Sequence, residues 1–218
     1  MTYQHLIFDL DGTLLDTISD IARAITDALH QCGYSRSYDK ITCKALIGDG
    51  ADALLHRALN GLSDTEEEFF RLKKAYLPLY KAYQGVASDP FEGMAETLKT
   101  LGDRGIDFSI VTNKPDQLAK IIMAEKMPTI QFVSIEGHQE GNPVKPNPFQ
   151  ILRLLESKKW ERSECLFIGD SHVDIDTARN AGLKVALCTW GYDRYEEALL
   201  NRADHILNKP SDLLDLVK

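Results

Sequence analysis

The sequence contains few cysteines and no long apolar run. Its four cysteines, Cys32, Cys43, Cys165 and Cys188, are scattered, and none belongs to a Cys-x-x-Cys pair, so zinc or redox sites with that spacing are not expected. The N-terminus has no basic segment followed by a long apolar run, which predicts no signal peptide. No stretch approaches the length of a membrane span. We therefore expect a cytoplasmic protein with reduced thiols and no membrane partner.

Basic residues are in deficit as well. The 218 residues include 25 Lys and Arg against 33 Asp and Glu, which gives a formal net charge of −8. An acidic surface argues against general binding to nucleic acid or anionic membranes, and no basic stripe with interleaved aromatics suggests a nucleic-acid partner. A small anionic substrate remains compatible with this charge, because a lysine and a metal ion can reverse the field inside a pocket.

A short apolar run near the start is followed at once by two acids. Leu6–Phe8 predicts a strand buried on both faces of a parallel sheet. Asp9 and Asp11 come next, and then Gly12, whose backbone can approach a ligand closely. Open α/β sheets bind ligands at the carboxyl ends of their strands, and like charges this close need a cation or a shared proton. Taken alone, an acidic solvated turn is the alternative.

Strand-like and helix-like patterns alternate along most of the chain. Apolar runs at 108–111, 130–135, 165–168 and 183–187 predict strands, with helical periodicity between most of them. This alternation predicts an α/β fold with a doubly wound, Rossmann-like parallel sheet. Residues from about 17 to 85 have helical patterns only. We therefore expect an α/β core formed by 1–16 and 86–218, with an inserted all-helical cap at 17–85.

Local signals predict some of the helix boundaries. Ser63 and Glu66 have the spacing of a capping box. Pro78 should kink or end the helix that follows them. Thr112–Pro115 should open another helix, because proline is favoured in a first turn.

Polar residues follow three of the predicted strands or stand in the loop between two of them. The set comprises Asp9, Asp11, Thr112, Asn113, Lys145, Asp170 and Asp174. Carboxylates on neighbouring strand ends need a cation, and oxygen ligands favour a hard ion such as Mg²⁺. A lysine and a threonine hydroxyl beside that ion would suit phosphate oxygens. Singly, Thr112 is more readily a helix cap, Lys145 a loop charge and Asp174 a surface acid; the joint pattern is what predicts a site.

Four segments resemble motifs of the haloacid dehalogenase superfamily, and specifically of its phosphatases with a small helical cap. They are FDLDGT at Phe8–Thr13, VTNK at Val111–Lys114, VKPNP at Val144–Pro148 and GDSHVD at Gly169–Asp174. They occur in the family's order and at its usual spacing, across almost the whole predicted core. One such motif is weak evidence, whereas four in register are specific.

The resemblance implies a role for each acid. Asp9 would be the nucleophile that forms an aspartyl-phosphate, and Asp11 would be the general acid and then the general base. Covalent catalysis of this kind divides one difficult displacement into two easier ones. The Asp9 side chain, the Asp11 backbone carbonyl and the Asp170 side chain would bind Mg²⁺, while Asp174 would bind it through water or orient Lys145.

The resemblance also implies a phosphate site. Gly12, the Thr112 hydroxyl and the backbone amide of Asn113 would contact the phosphate oxygens. Lys145 would neutralise the phosphate and keep Asp9 ionised. No role is implied for His172, although it stands inside the last motif.

Substrate choice depends on the predicted cap. The turn Ile47–Gly50 and the later segment Thr189–Tyr192 resemble the phosphoglycolate phosphatase group. Substrate contacts are therefore expected from Gly48, Asp49, Gly50 and Arg57. Taken singly, Arg57 is more readily a solvated helix residue, with a contact to a substrate carboxylate as the alternative.

The function implied is a Mg²⁺-dependent phosphatase acting on a small phosphorylated metabolite, for which 2-phosphoglycolate is the best single candidate. A pyrophosphatase or a sugar-phosphate mutase of the same fold is an alternative, and a non-catalytic sensor of phosphorylated ligands is another. A dehalogenase is disfavoured because its chemistry does not need the second acid, Asp11. A monomer or a homodimer is expected.

Overall fold

The computed structural model describes residues 3–63 and 65–217. The chain divides into two compact units, Met1–Asp16 with Pro90–Lys218 and, separately, Thr17–Asp89. The second unit thus ends slightly later than the predicted insert, at 89 rather than 85. No helix within the described ranges is both long and apolar enough to cross a membrane.

The first unit is built on a parallel sheet of six strands. In chain order the strands of the protein are β1 (His5–Phe8), β2 (Leu15–Asp16), β3 (Asp89–Pro90), β4 (Asp107–Pro115), β5 (Ser134–His138), β6 (Cys165–Gly169), β7 (Lys184–Cys188) and β8 (His205–Leu207). The main sheet has the order β5-β4-β1-β6-β7-β8, and β2 pairs with β3 separately. All pairings in the main sheet are parallel. The predicted α/β class is confirmed.

Helices cover the chain between these strands. They are α1 (Ile18–Gln31), α2 (Lys40–Cys43), α3 (Gly50–Leu59), α4 (Glu66–Tyr83), α5 (Met94–Asp103), α6 (Asp116–Lys126), α7 (Phe149–Lys158), α8 (His172–Ala181) and α9 (Glu197–Leu200). Short 3₁₀ turns occupy Lys44–Leu46, Arg162–Glu164 and Pro210–Asp215.

Strand β1 lies at the centre of the sheet because it is apolar on both faces. Leu6 and Phe8 belong to the core cluster on one face, and Ile7 belongs to the cluster on the other. All three side chains are fully buried. Its register pairs Phe8 with Ile110 of β4 and with Ile168 of β6. The residues that follow these partners therefore meet at one edge of the sheet.

Two expected boundaries in the first unit are wrong. β4 continues in extended form to Pro115, and α6 begins only at Asp116. A proline disfavours the helical conformation for the residue before it, so Pro115 keeps Lys114 extended. The strand expected at 130–135 begins instead at Ser134, because Ile130 and Phe132 pack against the core cluster as parts of a loop.

The second unit, Thr17–Asp89, contains α1 to α4. Here α4 is capped by Thr65, whose Oγ1 accepts from the amide of Glu68 at 3.3 Å, so the predicted Ser63–Glu66 capping box is wrong. Pro78 lies inside α4 and does not end it. Buried Tyr76 and Tyr80 stand on either side of the proline, and this continuous apolar face maintains the helix despite the lost hydrogen bond.

A buried acid joins the beginning of the second unit to its end. Asp20 of α1 accepts hydrogen bonds from the amide of Ala87 at 3.0 Å and from the Ser88 hydroxyl at 2.6 Å. Asp20 and Ser88 are both almost fully buried. A buried carboxylate is retained because these donors replace its lost hydration.

Candidate active site

The carboxyl ends of β1, β4 and β6 bring the predicted site residues to one edge of the sheet. Asp9 follows β1, and its amide donates to the Ile168 carbonyl of β6 at 2.8 Å. Asp170 follows β6 directly. Thr112 lies within β4, two residues beyond the partner of Phe8. The parallel register, and not proximity in the chain, creates this cluster.

Three carboxylates and one ammonium group form the centre of the cluster. One oxygen from each of Asp9, Asp170 and Asp174 lies within 4.8 Å of the others. Lys145 Nζ lies 2.8 Å from Asp9 Oδ1 and 2.7 Å from Asp174 Oδ1. The Lys145 and Asp174 side chains are at most 2% exposed. If all four groups are ionised, the lysine leaves two negative charges unbalanced.

The pKa values in the cluster are shifted first by burial and then by the neighbouring charges. Burial raises the pKa of Asp9 to about 6, with Lys145 opposing the shift and Asp174 adding to it. Burial, reinforced by Asp174, also raises the pKa of Asp170 well above its ordinary value. Burial by itself would lower the pKa of Lys145, but the adjacent Asp174 and Asp9 carboxylates raise it. The lysine is therefore charged at neutral pH, and the acids lack enough positive partners.

This donor set fits a hard divalent cation. Its ligand atoms are carboxylate oxygens, which Mg²⁺ and Ca²⁺ both prefer. An ion of charge +2 would offset the two excess negative charges that Lys145 leaves, and it would remove the penalty that raises the pKa values of Asp9 and Asp170. The residues at the strand ends are thus suited to a metal ion.

Both side-chain oxygens of Asp174 accept hydrogen bonds from neighbouring groups. Its Oδ1 accepts from Lys145 Nζ, and its Oδ2 accepts from the amides of Asp170 and Ser171 at 3.2 and 3.1 Å and from the Ser171 hydroxyl at 2.8 Å. Both oxygens are used. Of the two roles expected for Asp174, this arrangement favours orientation of Lys145.

Asn113 has a side-chain role that sequence reasoning missed. Its Nδ2 donates to the Lys145 carbonyl at 3.1 Å, and its Oδ1 accepts from the Lys145 amide at 2.8 Å. This paired contact fixes the loop that carries Lys145, across 32 residues of chain. The family resemblance implied a role only for the Asn113 backbone amide. The two side-chain hydrogen bonds to the Lys145 backbone are seen only in the folded structure.

Lys114 is a second buried lysine to which sequence reasoning assigned no role. Its side chain is 1% exposed, and its Nζ lies 3.3 Å from Asp11 Oδ1. Its amide donates to Thr112 Oγ1 at 3.2 Å. Lys114 is the last residue of the VTNK segment, so its place in a motif could have drawn attention to it. A lysine at the end of a strand is, however, usually a solvated charge.

Gly12 is required by close packing. Its φ is +89°, and a Cβ there would lie 2.6 Å from Asp170 Oδ2. Its amide donates to the Leu15 carbonyl at 2.9 Å, so the phosphate contact expected of Gly12 stays a prediction. The neighbouring Thr13 hydroxyl donates to Asp170 Oδ1 at 3.2 Å.

The segment Thr189–Tyr192, which follows β7, supports the same loop and carboxylate. The Tyr192 amide donates to Asp170 Oδ2 at 2.7 Å, and the Trp190 indole donates to the Thr13 carbonyl at 3.0 Å. A Cβ on Gly191 would lie 2.3 Å from the Asp170 Cβ, so only glycine allows this approach. Asp170 is therefore oriented from both sides by groups far away in the chain.

The four substrate-contact candidates lie together in the second unit. Gly48 and Gly50 have φ values of +127° and +88°, and between them Asp49 forms an ion pair with Arg57. Arg57 also donates to the Leu46 carbonyl at 3.0 Å. Its guanidinium is thus held within its own unit, and contact with a substrate stays a prediction.

Comparison with known proteins gives consistent results. A model of haloacid dehalogenase-like hydrolases matches residues 6–188. The chain is 33% identical over 214 residues to a phosphoglycolate phosphatase from Aquifex aeolicus, covering 97% of this chain and 95% of that one. It is 31% identical over 218 residues to an N-acetylmuramic acid 6-phosphate phosphatase from Pseudomonas aeruginosa, covering 100% and 96%. The structure of a haloacid dehalogenase-like family hydrolase from Streptococcus pneumoniae superposes with a TM-score of 0.84 at 25% identity, covering 98% and 97%.

Proposed function

Because the chain belongs to the haloacid dehalogenase-like hydrolase family, and is a phosphoric monoester hydrolase, we propose that it hydrolyses 2-phosphoglycolate in a Mg²⁺-dependent reaction through an aspartyl-phosphate on Asp9. The observation that carries the proposal is the buried ion-pair cluster at the strand ends. In it, Lys145 contacts Asp9 and Asp174, and an oxygen of Asp170 lies within 4.8 Å of an oxygen of each of these acids.

The proposed reaction has two displacements. In the first, an Asp9 carboxylate oxygen attacks phosphorus, and the bond to the leaving oxygen breaks as Asp11 gives that oxygen a proton. In the second, Asp11 takes a proton from water, whose oxygen attacks phosphorus and releases Asp9 and inorganic phosphate. The two steps share one acid–base group, which is used once in each direction.

The remaining residues bind and balance charge in this scheme. The Thr112 hydroxyl and the Asn113 amide would bind phosphate oxygens, and Lys145 would offset the charge that accumulates on them. The side chains of Asp9 and Asp170, with the Asp11 carbonyl, would hold Mg²⁺, which when bound supplies Lewis-acid stabilisation of the phosphoryl oxygens.

The identity of the substrate is the most specific part of the proposal. The relatives include enzymes named for phosphoglycolate and for N-acetylmuramic acid 6-phosphate at similar identity, so both compounds belong in the test. The proposal also assigns residues 17–85 as a cap that selects substrate through Gly48, Asp49, Gly50 and Arg57. It includes a cytoplasmic location and a monomeric or homodimeric state, which cell fractionation and light scattering test.

The test measures phosphate release, with and without Mg²⁺, from 2-phosphoglycolate, N-acetylmuramic acid 6-phosphate, pyrophosphate and several sugar phosphates. We expect wild type to prefer 2-phosphoglycolate and Asp9→Asn to be inactive, while Asp176→Asn, an exposed acid on α8, behaves as wild type. Borohydride trapping followed by mass spectrometry should mark Asp9 in the wild-type protein. Absence of Mg²⁺-dependent release from every compound overturns the proposal, and an isomerised sugar phosphate with little free phosphate indicates a mutase.

A further inference from the structure

The further inference concerns Lys114, which lies near the end of β4. Its side chain is 1% exposed, and a buried ammonium group is costly unless it is paired. Asp11 pairs with it: Asp11 Oδ1 lies 3.3 Å from Lys114 Nζ, and the Asp11 side chain is itself only 15% exposed. The pair is therefore shielded from water, where an ion pair fixes geometry better than it does on a surface.

The fold explains why the lysine reaches this acid. β4 stays extended to Pro115, well beyond Ile110, the partner of Phe8 at the end of β1. This overhang carries Lys114 past the end of β1 to the loop that contains Asp11. A helix starting at 112, as the sequence predicts, would remove the overhang.

The two buried lysines lie beside different acids of the first motif. Lys145 lies between Asp9 and Asp174, and Lys114 forms an ion pair with Asp11. The first lysine therefore stands beside the nucleophile, and the second stands beside the residue that exchanges protons with the leaving oxygen and with water.

We propose that Lys114 is a positioning residue that holds the Asp11 carboxyl group in the orientation needed for proton transfer; this rests on the phosphatase function proposed above. Lys114 takes no part in the bond changes. The proton moves from Asp11 to the leaving oxygen as the P–O bond breaks, and a proton from water returns to Asp11 in the second step. Loss of Lys114 should therefore matter most where the leaving group needs protonation.

The experiment compares Lys114→Met with wild type on three substrates. Ethyl phosphate and 2-phosphoglycolate release strongly basic alkoxides unless these are protonated, whereas p-nitrophenyl phosphate releases a stable anion. General acid catalysis contributes about 10²–10⁴-fold, so we expect kcat to fall about 100-fold on the first two and less than about fivefold on the third. KM should change little, and Lys114→Arg should recover part of the loss because it retains the charge. Lys120→Met, an exposed lysine on α6 paired with Asp116, is the matched control.

Each other pattern overturns the proposal. Equal losses on the three substrates indicate a purely structural lysine, and no loss shows that it is dispensable. A loss confined to 2-phosphoglycolate assigns Lys114 to binding the substrate carboxylate. If Lys114→Met does not fold, Lys114→Arg carries the test, since its displaced charge should still slow the alkyl phosphates more than the aryl phosphate. A wild-type protein inactive on all three refutes the proposed function itself, whereas an active one with any pattern above refutes only the role of Lys114.

Discussion

Replacing Asp9 by asparagine should stabilise the metal-free protein at neutral pH while it removes the proposed nucleophile. Asp9 is 13% exposed and lies beside two buried carboxylates, and Lys145 alone does not balance the three acids. Asparagine has nearly the shape of aspartate without its charge, so it resembles the protonated acid. The substitution therefore isolates the cost of ionising this one group in the folded protein.

The magnitude follows from the pKa. Asp9 has a pKa of about 6 in the fold, against an ordinary value of 3.8, and this difference corresponds to about 3 kcal/mol of unfavourable ionisation free energy at pH 7. The asparagine amide cannot reproduce every contact, so we expect a gain of about 1–3 kcal/mol. For a protein of this size that is roughly 2–10 °C in Tm.

The sign of the pH dependence is fixed by the direction of the shift. Because the folded pKa is raised, the folded protein holds its proton more tightly than the unfolded chain does. Asp9 therefore does not lower the free energy of unfolding below about pH 4. The free energy of unfolding falls as the pH rises from there through about 6. The Tm difference between Asp9→Asn and wild type should be small near pH 4.5 and full above pH 7.

Thermal and urea unfolding in EDTA at several pH values would measure the effect. Asp176→Asn on α8 is the matched control, because the Asp176 side chain is 41% exposed and pairs with Arg202, which is likewise at the surface, where an ion pair contributes little to stability. A variant that is no more stable than wild type at pH 7, or whose gain does not depend on pH, would refute the reasoning that Asp9 carries an unbalanced buried charge.

Three further predictions concern the same cluster. Added Mg²⁺ should raise the Tm of wild type but not of Asp170→Asn, and equal rises in calorimetry would contradict the proposed ligand set. Lys145→Met should lower kcat about 10²–10³-fold and also lower the Tm in EDTA, since Asp9 and Asp174 then face each other without a cation; an unchanged Tm would argue against their ionisation. Gly191→Ala places a Cβ against Asp170 and should weaken the affinity for Mg²⁺ about 10–100-fold. A titration in which the variant and wild type need the same Mg²⁺ concentration for half-maximal activity would disprove this.

Much of the site was predictable because it depends on local patterns. Apolar runs such as Leu6–Phe8 mark buried strands, and polar residues directly after them must lie at the carboxyl edge of a parallel sheet. That geometry alone places Asp9 and Asp170 near each other. The family resemblance added roles to these positions, and the match over residues 6–188 confirms the family.

The misses arise where tertiary packing overrides a local preference. Pro78 lacks a helical hydrogen bond, yet the buried face of α4 continues past it. Proline is favoured in the first turn of a helix, yet Pro115 has an extended ψ of 134° and pairs with His138 of β5, and the residue before a proline is itself kept extended. Local signals report the preference of one segment. They contain no information about the packing with other segments that offsets an unfavourable local conformation.

By itself, the sequence determined the alternation of strands and helices, the central strand and the order of the acidic motifs, because each of these is a property of one segment. Only the tertiary structure decided which partners the buried charges have. The contacts of Lys145 with Asp174, of Lys114 with Asp11 and of the Tyr192 amide with Asp170 join residues 22 to 103 positions apart. Such pairings depend on strand register and on the distance that loops travel, which no local periodicity encodes.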